Sequence, residues 1–275
     1  MDFQLFQLLL GLLGAGGISL LAYRFSLLTR SGALAAASLG TVVFGLGGLR
    51  WAIVLLVFFL TSSGLSFFFR KRKEAAEEKY AKGATRDAGQ VIANGGVAGL
   101  AVILHFFFPL SPLPWIAFCA AFAAATADTW ATELGALSNT PPRLITTMKQ
   151  VEAGTSGAVS WLGMSAAILG AMAIGLAGAL FDPYAAVQSA RYVLTVITIG
   201  GIAGSLVDSW LGATLQGIYF CPECQKETEK TPKHWCGAAT ELLRGKHWLN
   251  NDLVNLFCTL SGTLTSLLVI LFTGA

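Results

Sequence analysis

Along the chain, long apolar runs alternate with short polar breaks marked by Gly or Pro. The runs at residues 3–23, 51–69, 158–180, 192–211 and 253–272 are each close to the ~20 residues that carry a helix across a ~30 Å hydrocarbon core. Two more, 91–108 and 114–137, are separated by the Pro-rich turn FPLSPLP. A further stretch, 33–48, is shorter and Gly-rich, and crosses only where the bilayer is thin or neighbours help. Apolar residues run continuously instead of alternating, which excludes a closed β-barrel. The pattern predicts an all-α, polytopic membrane protein of about eight transmembrane helices, with seven as the alternative. Residues 1–275 form a single transmembrane helical domain, in which 218–250 make a polar loop between the last two spans.

Composition agrees: 55% of residues are hydrophobic and 12% charged, where soluble domains carry about 25% charged residues. Of the 18 Lys and Arg residues, all but Arg50 and Arg191 fall on one side when eight spans are threaded with the N-terminus outside. That is a strong positive-inside bias. The formal net charge of +3 therefore reflects topology and gives no indication of nucleic-acid binding. The first span lacks a basic start and is followed by Arg24, so it reads as a retained helix, not a cleaved signal. No myristoyl or prenyl motif is present.

Against this background the polar residues inside the spans stand out, because an ionisable group in hydrocarbon is costly unless it faces protein, water or a metal. Asp128, counted from Pro114 at about 1.5 Å per residue, lies ~21 Å into its span, toward the cytoplasmic side. Asp208 sits at a similar depth in another span of the same direction. RDAGQVIANGG brings Arg86, Asp87, Gln90 and Asn94 to the start of one inside-to-outside span, and WLNNDLVNLF brings Asn250, Asn251, Asp252 and Asn255 to the start of another. Gln90 and Asn94 share a helix face, as do Asn251 and Asn255. Asp128 and Glu133 are ~140° apart on an ideal helix, so the helix is deformed there or the two carboxylates look into different parts of the bundle. Any one of these residues alone reads equally well as interhelical glue. Asp87, Asp128, Glu133, Asp208 and Asp252 converging at one depth point instead to a bound cation. Mg²⁺ is the natural choice, since carboxylates, amide carbonyls and water are its ligands and it brings phosphates with it.

On the same side lies KQVEAGTSGAVS. Gly154, Thr155, Ser156 and Gly157 just before a helix, with Lys149 nearby, suit an anionic phosphate; an ordinary Ser/Thr cap after a flexible turn is the alternative. In the 218–250 loop, Cys221 and Cys224 form a C-x2-C knuckle, followed by His234 and Cys236. Together they offer four ligands for a structural Zn²⁺, with spare thiols on a polar loop as the other reading. Cys119 and Cys258 lie within spans and read as small core residues. The mixed-charge run RKRKEAAEEKYAKGATRD reads as a solvated helix at the inner surface, anchored by its basic start.

Taken together, RDAGQVIANGG, ADTWATELGALS, PRLITT, GTSG, GSLVDSWLGATLQ and WLNNDLVN resemble the integral-membrane family that contains chloroplast phytyl-phosphate kinase and the mammalian transmembrane protein nineteen. The matches run from about residue 85 to 256. The resemblance implies a membrane enzyme, an isoprenyl-phosphate kinase that transfers a phosphoryl group from a nucleoside triphosphate, CTP or ATP, to a phytyl-like prenyl monophosphate. It implies prenyl phosphate lipid, nucleotide and membrane lipids as partners. Family members usually read Gly-Thr-Asn-Gly-Gly where this chain has Gly154-Thr155-Ser156-Gly157-Ala158, so any contact made by the asparagine is missing here. On this reading Asp128, Glu133 and Asp208 hold Mg²⁺, and Asp87 and Asp252 hold a second metal or orient the first. Arg86 and Lys149 neutralise phosphates beside Thr155 and Ser156, while Gln90, Asn94, Asn251 and Asn255 hydrogen-bond phosphate oxygens or metal-bound water. The site would lie at the cytoplasmic face. The competing class is a cation- or proton-coupled transporter, against which stands the gathering of polar residues on one side. A non-catalytic scaffold has no use for the acid cluster. Neither prenyl chain length nor oligomeric state is encoded legibly.

Overall fold

The computed structural model describes residues 2–69 and 85–273, so the mixed-charge run lies, up to residue 84, outside the described residues. Among them are eight α-helices: α1 (Asp2–Arg24), α2 (Arg30–Val42), α3 (Leu49–Phe69), α4 (Ala88–Phe107), α5 (Leu113–Gly135), α6 (Trp161–Leu180), α7 (Ala190–Thr214) and α8 (Asn251–Thr273). Six of these, all but α2 and α5, are long and apolar enough to cross a membrane. The short run at 33–48 becomes α2 continued by a π-helical turn, Val43–Gly47, which ends where Gly48 takes φ 81°. Hydroxyls start several helices: the side chains of Thr29, Ser160 and Ser189 accept from the backbone N–H three residues on at α2, α6 and α7. The run expected to begin a helix at residue 158 begins one at Trp161 instead. Ala158–Val159 (β2) pair antiparallel with Arg143–Leu144 (β1), and Ser160 then caps α6.

Helix α5 is the axle of the bundle and touches α3, α4, α6, α7 and α8. From Pro114 to Ala127 it is buried on every side. Lipid tails are as apolar as any core, so helices in a membrane associate through close packing of small residues, and the run AFCAAFAAATA supplies them. A Cβ on Gly204 of α7 would stand 2.6 Å from the Cys258 carbonyl oxygen of α8 and collide with Ala124 of α5, so three backbones meet there. Farther along α5, the Trp51 ring meets those of Trp115 and Phe118 edge-on at 4.9 and 4.8 Å. Phe58 stacks on Phe122, and the Trp115 indole N–H donates to the Gly178 carbonyl at 3.1 Å.

The 218–250 segment folds into a three-stranded antiparallel sheet, ordered β4 (Lys226–Thr228), β3 (Ile218–Cys221), β5 (Glu241–Arg244). It is tied to the helix ends by backbone bonds from Lys246 N to Leu215 O and from Gly217 N to Leu249 O.

Candidate functional site

One end of the bundle holds a cavity of about 560 Å³. The N-termini of α4, α6 and α8 and the C-termini of α5 and α7 surround it, and the β1–β2 loop and the sheet segment close its rim. Arg86, Gln90, Asn94, Asp128, Glu133, Gly154 to Gly157, Asp208, Asn251, Asp252 and Asn255 all line it. These positions lie far apart in the chain, and the fold brings them to one space.

The helix α5 stays regular through its acids, and the ~140° offset sends the two carboxylates to opposite walls. Asp128 faces Asp208 of α7, close enough for the two carboxyl groups to interact directly. Glu133, 7% exposed, turns the other way and accepts a hydrogen bond from the Ser66 hydroxyl of α3 at 2.7 Å. It also lies within electrostatic reach of Arg86, whose guanidinium sits 5.7 Å from the centre of the Phe58 ring. Glu133 thus belongs to the Arg86 side of the cavity, apart from the aspartate pair.

Two of the expected site residues stand elsewhere. Asp87 caps α4: its carboxylate accepts from Gln90 N at 3.0 Å, while the Gln90 side-chain oxygen accepts from Asp87 N at 3.1 Å. This is a reciprocal capping box. Lys149 is exposed in the β1–β2 loop and does not line the cavity; Lys230 and Lys233 of the sheet segment do. The glycine loop lines the cavity as expected, but it leads into β2, and the free N–H groups at the start of α6 belong to the turn after Ser160. Gly157 has φ 81° and its Cα presses on the backbone of Ala213 in α7, so no side chain fits there.

Several residues that bind the site together carried no signal in the apolar pattern. Gln216, 2% exposed, accepts from the Ser156 hydroxyl at 2.6 Å and donates to Glu229 at 2.9 Å. Glu229 in turn lies near enough to Asp208 for their charges to interact. Hydrogen bonds therefore run from the glycine loop to Glu229, and electrostatic interaction carries on from there to Asp208. Arg244 reaches under it, donating to the carbonyls of Gly212 at 3.0 Å, Ala213 at 3.1 Å and Ser156 at 3.4 Å. A cation there suits the negative end of α7. Gln216 closes the motif GSLVDSWLGATLQ, and that position was its one clue.

The donor set can be tested against the metals the sequence suggested. Among the described residues, Asp208 Oδ2 is buried without a hydrogen-bond partner, and two carboxylates in contact repel unless a proton or cation lies between them. Asp128 and Asp208 fit Mg²⁺, an all-oxygen ion bound by one or two carboxylates with water and phosphate. At the sheet, the ligand atoms of Cys221, Cys224, His234 and Cys236 all lie within 4.8 Å of one another. Cys236 Sγ stands 3.5 Å from Cys221 Sγ and 3.4 Å from His234 Nδ1. Ligands about 2.3 Å from a tetrahedral Zn²⁺ stand roughly 3.8 Å apart, so this set fits as well. The Ala238 backbone amide and His234 pull the Cys236 thiol down to about 6.

A bundle of membrane-length helices around a buried small-residue axle, with one polar cavity at an end, defines a multi-pass integral membrane protein. The chain belongs to the family described as integral membrane protein DUF92, which matches residues 13–263, and the motifs had pointed to that family. It is 31% identical over 273 residues to Protein PGR of Arabidopsis thaliana, covering 91% of each chain. It is 33% identical over 254 residues to an uncharacterized membrane protein of Methanocaldococcus jannaschii, covering 92% of this chain and 90% of that one. Protein VTE6, chloroplastic, of A. thaliana is 24% identical over 246 residues, 88% of this chain and 65% of that protein. No solved structure matches the chain.

Proposed function

We propose that this protein is an isoprenyl-phosphate kinase of the membrane, transferring a phosphoryl group from CTP or ATP to a phytyl-like prenyl monophosphate at the cytoplasmic end of the bundle. The observation that carries the reading is the single cavity in which an aspartate pair, three basic side chains and a glycine loop face one another. The resemblance of the motifs to the phytyl-phosphate kinase family, and the match to VTE6, support the isoprenyl class. The cytoplasmic placement rests on the bias of Lys and Arg.

Phosphoryl transfer asks the protein mainly for positioning and for charge neutralisation. Mg²⁺ held by Asp128 and Asp208 would neutralise charge on the transferred group. Arg86, oriented by Glu133 and Ser66, faces the phosphate of the lipid. Lys230 and Lys233, carried by the sheet, face the nucleotide phosphates. Ser156, fixed by Gln216, holds the glycine loop against α7, and Asn94, Asn251 and Asn255 supply amide hydrogen bonds. The acceptor is already an anion, so no general base is needed. Zn²⁺ at Cys221, Cys224, His234 and Cys236 would have all four positions filled by protein and serve to hold the sheet. A carrier of cations would need a polar path onward from the cavity, but on α5 the lining stops at Asp128, and Trp115 to Ala127 are buried apolar or small residues.

The test incubates purified protein with phytyl or geranylgeranyl monophosphate, Mg²⁺ and labelled CTP or ATP, with Asp128→Asn alongside. Diphosphate formed by the wild type and lost in the variant is the expected result. No product from either lipid with either nucleotide would turn the reading toward the carrier, to be pursued by flux in liposomes.

A further inference from the structure

A second cavity, of about 420 Å³, lies between α1, α2, α3 and α4. It is lined almost wholly by apolar side chains and glycines, and its polar exceptions are Ser19, Arg86, Gln90 and Asn94. The last three also line the reaction cavity. The two spaces therefore share one wall, the N-terminal turns of α4, with Arg86 in that wall. From there the apolar space extends along α3 from Phe58 to Leu49, ~14 Å at the helical rise, in the direction that leads away from the acids. It exists because α1 and α3 both pack on the π-helical turn Val43–Gly47 and leave the space between them unfilled.

We infer that this cavity holds the hydrocarbon chain of the phosphorylated lipid acceptor, with its phosphate delivered past Arg86 to the aspartate pair. The inference rests on the kinase reading for the phosphate, but its geometry is independent of the donor. The shared wall selects the occupant: a chain in the apolar space has its polar end at Arg86, Gln90 and Asn94, where a phosphate finds a guanidinium and amide groups. A tail moving from the bilayer into the cavity gains nothing from the hydrophobic effect, since both are hydrocarbon. The cavity accordingly acts through shape, selecting chains that fill it and fixing the depth of the phosphate.

Gly14 offers a clean way to test this. It lines the cavity, and a Cβ built on it meets no atom within 4 Å, so Gly14→Phe adds bulk at the cavity wall from a position with room for a side chain to start; Ala52→Phe, from α3, adds it from the other side. The probe is geranylgeranyl monophosphate carrying a diazirine at its far end, photolysed on the purified full-length protein and mapped by mass spectrometry. Thermal unfolding of both variants verifies their fold. The inference expects label on Leu10 to Ser19 or Leu49 to Phe59, reduced about tenfold in the variants, and a comparable fall in kcat/KM for geranylgeranyl but not dimethylallyl monophosphate. Label elsewhere, or label unchanged in both folded variants, overturns it. Labelling in this cavity without turnover by any nucleotide would sink the kinase reading and leave the chain site standing. Turnover with the label elsewhere would do the reverse.

Discussion

The carboxyl groups of Asp128 on α5 and Asp208 on α7 face each other and interact, at the depth where the helix axle changes from packed alanines to polar residues. Two acids placed so in a membrane are unfavourable without a cation, and here their neighbours are a glycine loop and basic side chains. The pair is the part of the site that demands a ligand.

A first prediction follows from that demand. Mg²⁺ should raise the thermal unfolding temperature of the wild-type protein, and neither Asp128→Asn nor Asp208→Asn should show the effect. Both variants should lose about 10²-fold or more in turnover, while folding as well as wild type, since each removes like-charge repulsion. Retained turnover in either variant would take the pair out of the chemistry.

Why the acids were legible and their arrangement was not has a physical reason. A charge in an apolar run is conspicuous because lipid makes it costly, so Asp128, Glu133 and Asp208 announce themselves, and continuous apolar runs reveal the helices the same way. Which wall each acid faces depends on the neighbours of α5, and Glu133 pairs with Ser66, a residue that looks ordinary in its span. In the loops a lysine is cheap anywhere. The spacing singles out Lys149 beside the glycine loop, whereas the β1–β2 pairing and the sheet set Lys230 and Lys233 on the cavity wall instead. The apolar run after the glycine loop predicts a helix start there, and nothing in GTSGAVS forecasts that Ala158–Val159 pair with Arg143–Leu144. Asp87, expected to hold a second metal or orient the first, caps α4 through the capping signature Asp-x-x-Gln.

The sheet makes a second prediction. Metal analysis of purified protein should find about one Zn²⁺ per chain, lost in Cys221→Ser, because Cys221 is the buried cysteine of the set. Removing it should also lower activity, since Glu229, Lys230 and Lys233 between the ligands line the cavity. Full activity in a zinc-free variant would confine the knuckle to folding.

Gln216 tests whether the glycine loop and the aspartates are mechanically joined. Gln216→Leu keeps the volume but removes both bonds, from Ser156 and to Glu229. The cost in stability should be about 1–3 kcal/mol, since buried polar partners are left behind. Nucleotide KM should rise more than lipid KM, because the loop and the sheet face the nucleotide in the proposed arrangement. Equal rises in both would show that the variant merely loosens the fold.

Gly157 provides the sharpest probe of the loop itself. Its φ of 81° is strained for any L side chain. A Cβ there would also strike the backbone of Ala213, which Arg244 holds by its carbonyl and which cannot retreat as a flexible side chain would. Gly157→Ala should therefore destabilise the protein by about 1–3 kcal/mol and push the loop off α7. Gly154 shares the positive φ, at 81°, and its position in the turn is likewise left-handed. Gly154→Ala should thus carry the conformational cost and serve as the reference against which the collision of Gly157 with Ala213 is read. Thermal unfolding of the two variants side by side separates the contributions. Equal losses would mean that backbone conformation alone governs the loop, whereas a larger loss at Gly157 would establish that contact with α7 sets the geometry of the cavity.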